Sequence, residues 1–215
     1  YRANIWALHA IGVKSVIAVN AIGGIDLKVS PGVFVLPHQI IDYSFGRDAT
    51  FFEDDIDHVT HIDFTFPFAE ELRQKLKQAF HSYNENLDVK KTLVDNGVYG
   101  CTQGPRLETS AEICRLRKDG CDIVGMTAMP EAALARELKL GYAMIALSVN
   151  WAAGVTDEEL NMVDLDFSQV FIDSYEAEVM NPDRYAIRNN LSRDVPEECG
   201  TFTCYRVYDA ETNVV

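Results

Sequence analysis

The 215-residue sequence predicts an α/β fold, in which a mainly parallel or mixed twisted sheet is flanked by helices. Short apolar runs rich in β-branched residues, such as 15–19, are typical of strands that are buried on both faces. Segments with apolar residues at helical spacing lie between these runs, as at 67–80. Strands that alternate with helices along a chain favour a mainly parallel sheet covered on both sides.

The individual elements follow in order along the first 156 residues. A helix over 2–10 ends near Gly12, and a strand over 15–19 ends at a Gly-containing turn. Thr109 and Glu112 have the spacing of a capping box, and Pro130 suits the first turn of a helix. The remaining predicted elements are strands at 33–36, 97–101, 122–124 and 142–149, and helices that begin at 67, 109 and 130.

Composition excludes several classes of function. The formal net charge of −14 argues against a nucleic-acid-binding protein, which needs a basic surface. No apolar run reaches the roughly 18 residues that span a bilayer, and no secretory signal opens the chain, so we expect a cytoplasmic protein without a membrane partner. Five cysteines without a dense framework indicate reduced thiols, and no metal-ligand spacing accompanies them.

Charge divides the chain into two regions. Residues 157–215 hold 14 acidic and 4 basic side chains, whereas residues 1–156 hold 19 and 15. We therefore expect one domain over 1–156 and, beyond it, a C-terminal helix followed by a divergent acidic tail. The helix is predicted by the apolar residues Leu160, Val163, Phe167 and Val170.

Ligands of parallel α/β sheets bind at the carboxyl ends of the strands, which directs attention to the loops after Val19, Cys101, Val124 and Val149. Each loop alone has two interpretations. The segment 20–24 is either a tight turn or a set of backbone N–H groups that could hold an anion. Met126 is either core filler or part of a site, and Thr127 is either a helix-start residue or a phosphate ligand.

Four segments follow one another along the chain, namely 1–8, 20–24 (Asn-Ala-Ile-Gly-Gly), 103–109 (Gln-Gly-Pro-Arg-Leu-Glu-Thr) and 125–131 (Gly-Met-Thr-Ala-Met-Pro-Glu). Taken together and in this order, they resemble the methylthioadenosine/purine-nucleoside phosphorylase family, with support from 40–42, 61–64 and 67–68. The resemblance covers residues 1–156.

The resemblance implies phosphorolysis, in which phosphate attacks C1′ of a nucleoside and the purine leaves. It also implies inorganic phosphate as co-substrate, no metal or other cofactor, and a homotrimer. Phosphate contacts are expected from Asn20, Ala21 and Thr127. Substrate contacts are expected from Ala21, Ile22, Gly23, His61, Leu107, Gly125, Met126 and Ala152. His61 is expected to reach the pocket of a neighbouring subunit, the alternative being an ordinary surface histidine.

The expected catalytic residue is Asn150, which also bears on the choice of base. In relatives that act on adenine nucleosides, Asp residues stand at the positions of Asn150 and Ala152. An amide both donates and accepts, so Asn150 can donate to O6 and accept from N7–H of a 6-oxopurine such as that of methylthioinosine. The alternatives are a 6-aminopurine preference, or Asn150 as a structural residue at the end of a strand.

The sequence also departs from the family. A Gly-rich phosphate loop and an Arg-His-Gly segment, which relatives carry before the part that matches Tyr1, are not in this chain, so we expect an N-terminally incomplete enzyme with weak phosphate binding. Two other functions stay open. One is a nucleosidase of the same fold, and the other is a non-catalytic nucleoside-binding or interaction protein.

Overall fold

The computed structural model describes residues 1–53 and 59–156, together with the backbone of two strands at 185–189 and 204–207. Helices and strands alternate along this part of the chain, as predicted. In order they are α1 (Arg2–Ala10), β1 (Ser15–Gly24), β2 (Phe34–Asp42), α2 (Glu70–Glu85), β3 (Leu93–Cys101), α3 (Ser110–Lys118), β4 (Ile123–Gly125), α4 (Glu131–Glu137), β5 (Gly141–Trp151), β6 (Tyr185–Asn189) and β7 (Cys204–Val207).

The predicted helix ends are close to the observed ones. Gly12, with a φ of +86°, is the left-handed residue just after α1. The capping box of α3 is present in full, because the Thr109 side chain accepts from the N–H of Glu112 and the Glu112 carboxylate accepts from the N–H of Thr109. Pro130 is the N-cap of α4, and α2 begins three residues later than predicted, with Ala69 as its N-cap.

The sheet is mixed, with the order β4-β3-β2-β5-β1-β6-β7. Its parallel pairs are β1–β5, β1–β6, β2–β3 and β3–β4, and its antiparallel pairs are β2–β5, β1–β4 and β6–β7. The additional pairing of β1 with β4 joins the two ends of the five-strand segment β4-β3-β2-β5-β1. The sequence predicted a parallel or mixed sheet but did not predict that the sheet closes in this way.

The predicted turn at 20–24 is wrong, since β1 continues through Gly24. Gly23 and Gly24 pair with Asn150 and Trp151 of β5 on one side and with β4 on the other. A Cβ on Gly24 would lie 2.0 Å from the carbonyl oxygen of Val29, so the absence of a side chain permits close backbone packing here. The glycines serve this close approach and do not end the strand.

Both faces of β1 are buried, which accounts for its continuous apolar run. Ile17 and Val19 pack in one cluster with the α2 residues Leu72, Leu76 and Phe80. Val16, Ala18 and Ile22 pack in another, whose helical members are Ile5 and Leu8 of α1 and Ala132, Leu134 and Ala135 of α4. The central strand therefore lies between helices on its two faces, which fixes the position of its carboxyl end.

The strands β6 and β7 belong to the acidic region beyond residue 156 and were not predicted. β6 pairs with β1 from Ser15 to Val19, and β7 pairs with β6. An arginine, Arg188 in β6 and Arg206 in β7, interrupts the apolar run of each of these short strands. The predicted C-terminal helix lies outside the described residues. Within the described ranges, no helix is both long and apolar enough to cross a membrane.

Candidate active site

A cavity of about 520 Å³ lies where the ends of β1, β3, β4 and β5 meet. Its size is within the range usual for small-molecule sites. Nine of the residues predicted for the site line it, namely Ala21, Ile22, Gly23, Leu107, Gly125, Met126, Thr127, Asn150 and Ala152. The other lining residues are Tyr1, Arg47, Gln103, Gly104, Pro105, Glu108, Val124, Val149 and Ala153.

Closure of the sheet brings these ends together. β1 and β4 pair in antiparallel fashion at Gly23 and Gly24, next to the start of the 125–130 loop. On the same edge of β1, pairing with β6 stops at Val19. Between these two pairings, residues 20–22 pair only with β5 among the described residues. Backbone polar groups of this short segment are therefore available to a ligand, as the sequence predicted for an anion.

The segment after β4 is held by hydrogen bonds to β3 and the loop that follows it. The N–H of Thr102 donates to the carbonyl of Gly125 at 2.8 Å, and the N–H of Thr127 donates to the Tyr99 hydroxyl at 3.3 Å. A Cβ on Gly125 would lie 2.1 Å from that hydroxyl, so only glycine allows the backbone to approach Tyr99 this closely. Among the described residues, the Thr127 hydroxyl has no hydrogen-bond partner, which leaves it for a ligand.

Asn150 lies at the end of β5, just past an irregularity in the ladder. Ile22 pairs with Ser148 and Gly23 with Asn150, so Val149 is an extra residue on this strand. Such a bulge bends a strand and re-aims the side chains beside it. The amide Nδ2 of Asn150 donates to the carbonyl of Trp151 at 2.7 Å, which orients the amide. Its second N–H and its Oδ1 remain for a ligand.

The loop between β3 and α3 carries Leu107 and Glu108 into the lining. Leu107 is 53% exposed, as expected of an apolar side chain in an open cavity. One carboxylate oxygen of Glu108 accepts from the Thr102 hydroxyl at 2.5 Å. The loop ends at the capping box, where Arg106 donates to both carboxylate oxygens of Glu112. The Arg106 guanidinium and the Thr109 N–H lower the pKa of Glu112 to about 2.

Arg47 connects the two loops, and the sequence did not point to it. Its guanidinium donates to backbone carbonyls of Thr102, Gln103, Met126 and Met129 and to the side-chain oxygen of Gln103. It also lies over the ring of Tyr1, 5.3 Å from the ring centroid. It is the only Lys, Arg or His among the described residues that line the cavity.

Two predicted residues lie elsewhere. Asn20 is 1% exposed and absent from the lining, and its Nδ2 lies 3.1 Å from the Met144 sulfur, inside the core. Its Oδ1 is buried without a hydrogen-bond partner among the described residues, and its contact with phosphate stays a prediction. His61 is exposed and also absent from the lining, so its predicted role in a neighbouring subunit stays a prediction.

The cysteines of the described ranges lie outside the cavity lining. Burial raises the pKa of the Cys101 thiol to about 11, and burial also raises that of Cys121. These two thiols are therefore neutral near pH 7 and poor nucleophiles. In the described ranges, no group of three or more His, Cys, Asp or Glu residues is placed to hold a metal ion.

Sequence reasoning did not single out Arg47, Gln103 and Glu108, which the structure places in the cavity lining. Gln103 and Glu108 stand inside a segment that carried the family resemblance, so a chemical reading of that segment could have found them. Arg47 lies alone in a polar stretch with no periodicity. No pattern marks an arginine whose acceptors are backbone carbonyls 55 to 82 residues further along the chain.

Comparison with known proteins gives matches by family model and by sequence. The model of a family described as the phosphorylase superfamily matches residues 1–179. The chain is 54% identical over 166 residues to a probable S-methyl-5'-thioinosine phosphorylase of Pseudomonas syringae pv. tomato, covering 77% of this chain and 65% of that protein. It is 43% identical over 165 residues to the 6-oxopurine nucleoside phosphorylase of Pyrococcus furiosus, covering 74% and 60% of the two chains.

Solved structures show the same fold. Methylthioadenosine phosphorylase from Schistosoma mansoni in complex with adenine superposes with a TM-score of 0.69 at 32% identity, covering 83% of this chain and 65% of that one. This chain therefore spans just under two thirds of the length of the relatives that it matches. The match by family model, by sequence and by structure agrees with the predicted resemblance.

Proposed function

Because the chain belongs to the phosphorylase superfamily, we propose that it catalyses phosphorolysis of a purine nucleoside or methylthionucleoside. A phosphate oxygen forms a bond to C1′ while the bond from C1′ to N9 breaks, and its electron pair leaves with the purine. The products are the free base and ribose-1-phosphate or methylthioribose-1-phosphate. The observation that carries the proposal is the convergence of Ala21–Gly23, Met126–Thr127 and Asn150 on one cavity.

The ribose and phosphate ends of this cavity have suitable donors. The Met126 carbonyl accepts from Arg47 and the Gly125 carbonyl from Thr102, which fixes the peptide between β4 and α4. The proposed ribose contact is the backbone of Met126, and the proposed phosphate contacts are the Thr127 hydroxyl and backbone of Ala21. Preorganised donors of this kind stabilise charge that develops in a transition state without reorganising at the moment of reaction.

The base end favours a 6-oxopurine. One amide hydrogen of Asn150 is engaged with the carbonyl of Trp151. The other can donate to O6 of the base, and Oδ1 can accept from N7–H. Glu108 offers a carboxylate oxygen to N1–H, a donor that 6-oxopurines have and adenine lacks. Ala152, only 5% exposed, offers no carboxylate to a 6-amino group. A mismatched base would leave polar groups of the site unpaired, which is the strongest form of discrimination that a pocket offers.

Phosphate is the proposed co-substrate, and the chemistry assigned to these residues needs no further cofactor. A homotrimer belongs to the same proposal. The exposed position of His61, outside the cavity of its own subunit, leaves it accessible to a second subunit.

Dependence on phosphate is the test of the reaction type. Incubation of the protein with methylthioinosine should release hypoxanthine and methylthioribose-1-phosphate in phosphate buffer, and neither in phosphate-free buffer. Release of hypoxanthine with free methylthioribose in both buffers would identify a hydrolase instead. Binding of the nucleoside without turnover in either buffer would identify a non-catalytic nucleoside-binding protein.

A further inference from the structure

Arg47 makes a set of hydrogen bonds that joins the two loops of the cavity. Nη1 donates to the carbonyl of Met126 at 2.9 Å and to that of Met129, and Nη2 donates to the carbonyls of Thr102 and Gln103 at 3.1 and 2.8 Å. Nε donates to Oε1 of Gln103 at 3.1 Å. We propose that Arg47 is the positioning residue that holds the base-binding loop 102–109 and the ribose-binding loop 126–129 in their mutual geometry. The inference rests on the function proposed above.

Arg47 acts through the loops because its donors are already engaged. A guanidinium has five N–H groups in a fixed planar fork, and the five acceptors of Arg47 match that number. Four of these acceptors are backbone carbonyls, so the side chain binds the backbone of both loops at the same time. A direct hydrogen bond to phosphate or nucleoside would require one of these bonds to break.

The segment that carries Arg47 is itself anchored on both sides. Before it, the Tyr43 hydroxyl donates to a carboxylate oxygen of Asp119 at 2.8 Å. After it, the Thr50 hydroxyl and the Phe51 N–H donate to the two carboxylate oxygens of Glu137, at 2.6 and 2.7 Å. The segment that carries the guanidinium is therefore anchored next to α3 and α4, so that the guanidinium has a fixed position relative to the loops.

The relative position of the two loops matters because each contacts a different part of the substrate in the proposed function. Loop 102–109 brings Leu107 and Glu108 to the base, and loop 126–129 brings the Met126 backbone and Thr127 to the ribose and phosphate. The attacking phosphate and C1′ must lie within reacting distance, and a displacement of about 1 Å can cost about 100-fold in rate. Loosening the two loops is thus expected to lower kcat more than it raises the KM of the nucleoside.

Three variants separate position from charge and from general stability. Arg47→Ala removes all the hydrogen bonds of the guanidinium to the two loops. Arg47→Lys keeps the positive charge in the cavity but has fewer donors and no planar fork. Arg136→Ala is the matched control. Arg136 is also half-buried and also donates to backbone carbonyls, those of Asp63 and Phe66, but it lies outside the cavity lining.

The kinetic test compares kcat and KM with methylthioinosine and phosphate. We expect Arg47→Ala to lower kcat about 100-fold, Arg47→Lys to lower it at least tenfold, and Arg136→Ala to leave it within about twofold. Added guanidinium chloride at millimolar concentration should restore part of the activity of Arg47→Ala and none of any loss in Arg136→Ala. A kcat of Arg47→Lys equal to that of the unaltered protein would overturn the inference, because charge alone would then suffice.

Hydrogen–deuterium exchange tests the inference independently of any reaction. Arg47→Ala should increase amide exchange in 102–109 and 126–129, whereas Arg136→Ala should increase it only around 63–66. Unchanged protection of both loops in Arg47→Ala would overturn the positioning role even if the protein is an active phosphorylase. Increased exchange in a protein without phosphate-dependent turnover would instead sustain the positioning role and count against the proposed function.

Discussion

The proposed base preference depends most on one side chain, that of Asn150. Its amide both donates and accepts, and the bond from Nδ2 to Trp151 at 2.7 Å fixes which edge faces the cavity. In Asn150→Asp, a carboxylate replaces the donor to O6 and repels the oxygen. We expect kcat/KM for methylthioinosine to fall about 100-fold, as the loss of a buried charge-stabilising hydrogen bond implies. Steady-state kinetics with methylthioinosine and methylthioadenosine measure the change.

The control for this substitution is Asn86→Asp. The Nδ2 of Asn86 likewise donates to a backbone carbonyl, that of Ser82, but the residue is exposed and outside the cavity lining. The same change of charge at that position should leave both nucleosides unaffected. An equal loss of kcat/KM for both nucleosides in Asn150→Asp would show that Asn150 stabilises the end of the strand and does not discriminate between the bases.

Glu108 gives a second prediction at this scale. Glu108→Gln keeps an oxygen that can accept from N1–H, whereas Glu108→Leu removes every acceptor at nearly the same volume. We expect kcat/KM for methylthioinosine to fall tenfold or more in Glu108→Leu and less in Glu108→Gln, since a hydrogen bond to a charged carboxylate is worth about 1.5–3 kcal/mol and one to a neutral amide about 1 kcal/mol. Equal values in the two variants would exclude the contact with N1–H.

At the scale of elements, the joint between β3 and β4 depends on Gly125. Its missing Cβ lets the backbone lie against Tyr99, whose hydroxyl would be 2.1 Å from that atom and whose Cζ would be 2.8 Å from it. Gly125→Ala must move the ring or the Met126–Thr127 segment. We expect a loss of about 1–3 kcal/mol in the free energy of unfolding and a fall in kcat of tenfold or more. Urea unfolding and steady-state kinetics measure the two effects.

Tyr99→Phe separates the two consequences of that change. It removes the hydrogen bond from the N–H of Thr127 but leaves room for the backbone, so its effect on kcat should be smaller than that of Gly125→Ala. A Gly125→Ala variant with unchanged kcat and unchanged unfolding midpoint would show that this close contact is unimportant to the site.

Local sequence, in its apolar runs and its capping and turn residues, was sufficient to locate β1 to β5 and α1 to α4. It failed where pairing is decided by distant residues. Gly23-Gly24 resembles a turn, yet it is a strand because β4 and β5, about 100 or more residues later, pair with it. β2 was predicted too short because Pro37 interrupts its pattern, and the ladder shifts register there.

For the candidate site, too, local sequence indicated the loops but not how they come together. The segments after four strands were expected to form a site, and a family resemblance singled out residues within them. In the structure these segments line one cavity, and their contacts with a substrate stay a prediction. Their meeting point, however, arises from the closure of β1 onto β4, which a prediction of parallel strands does not contain. Asn20 lies at this end of β1, but its amide is buried beside Met144, and the partners of Arg47 among the described residues are all long-range.

At the scale of the whole molecule, buried thiols predict a loss of stability at alkaline pH. The pKa of Cys101 is raised from its ordinary value of 9.0 to about 11, and those of Cys121 and Tyr43 are also raised, in each case chiefly by burial. The folded state then disfavours the thiolate, so this contribution is complete below pH 9 and is lost as the pH rises towards 11. The urea midpoint should fall between pH 8 and pH 10.5, and by less in Cys101→Ala.

Thiol labelling checks the same burial. Of the cysteines in the described ranges, Cys114 is exposed and Cys101 and Cys121 are buried. Iodoacetamide at pH 8 should therefore modify Cys114 in the native protein and leave the other two intact until urea is added. Rapid labelling of Cys101 in the native state would contradict the burial on which the alkaline prediction depends.

Assembly is the second property at this scale. The proposed homotrimer has a mass of about three times 24.1 kDa, which light scattering coupled to size exclusion measures directly. If His61 completes the pocket of a neighbouring subunit, His61→Ala should raise the KM for methylthioinosine several-fold and leave the mass of the assembly unchanged. A monomer with full activity would contradict the proposed role of His61.

The central claim is that the cavity at the ends of β1, β3, β4 and β5 is a phosphorolytic site for 6-oxopurine nucleosides. The most direct measurement is kcat/KM for purine release in phosphate buffer, compared across methylthioinosine, inosine and methylthioadenosine. The account predicts that methylthioinosine is cleaved with a kcat/KM at least 100-fold above that of methylthioadenosine, because Asn150 and Glu108 match its O6 and N1–H. Preferential cleavage of methylthioadenosine, or no phosphate-dependent release from any of the three, would contradict it.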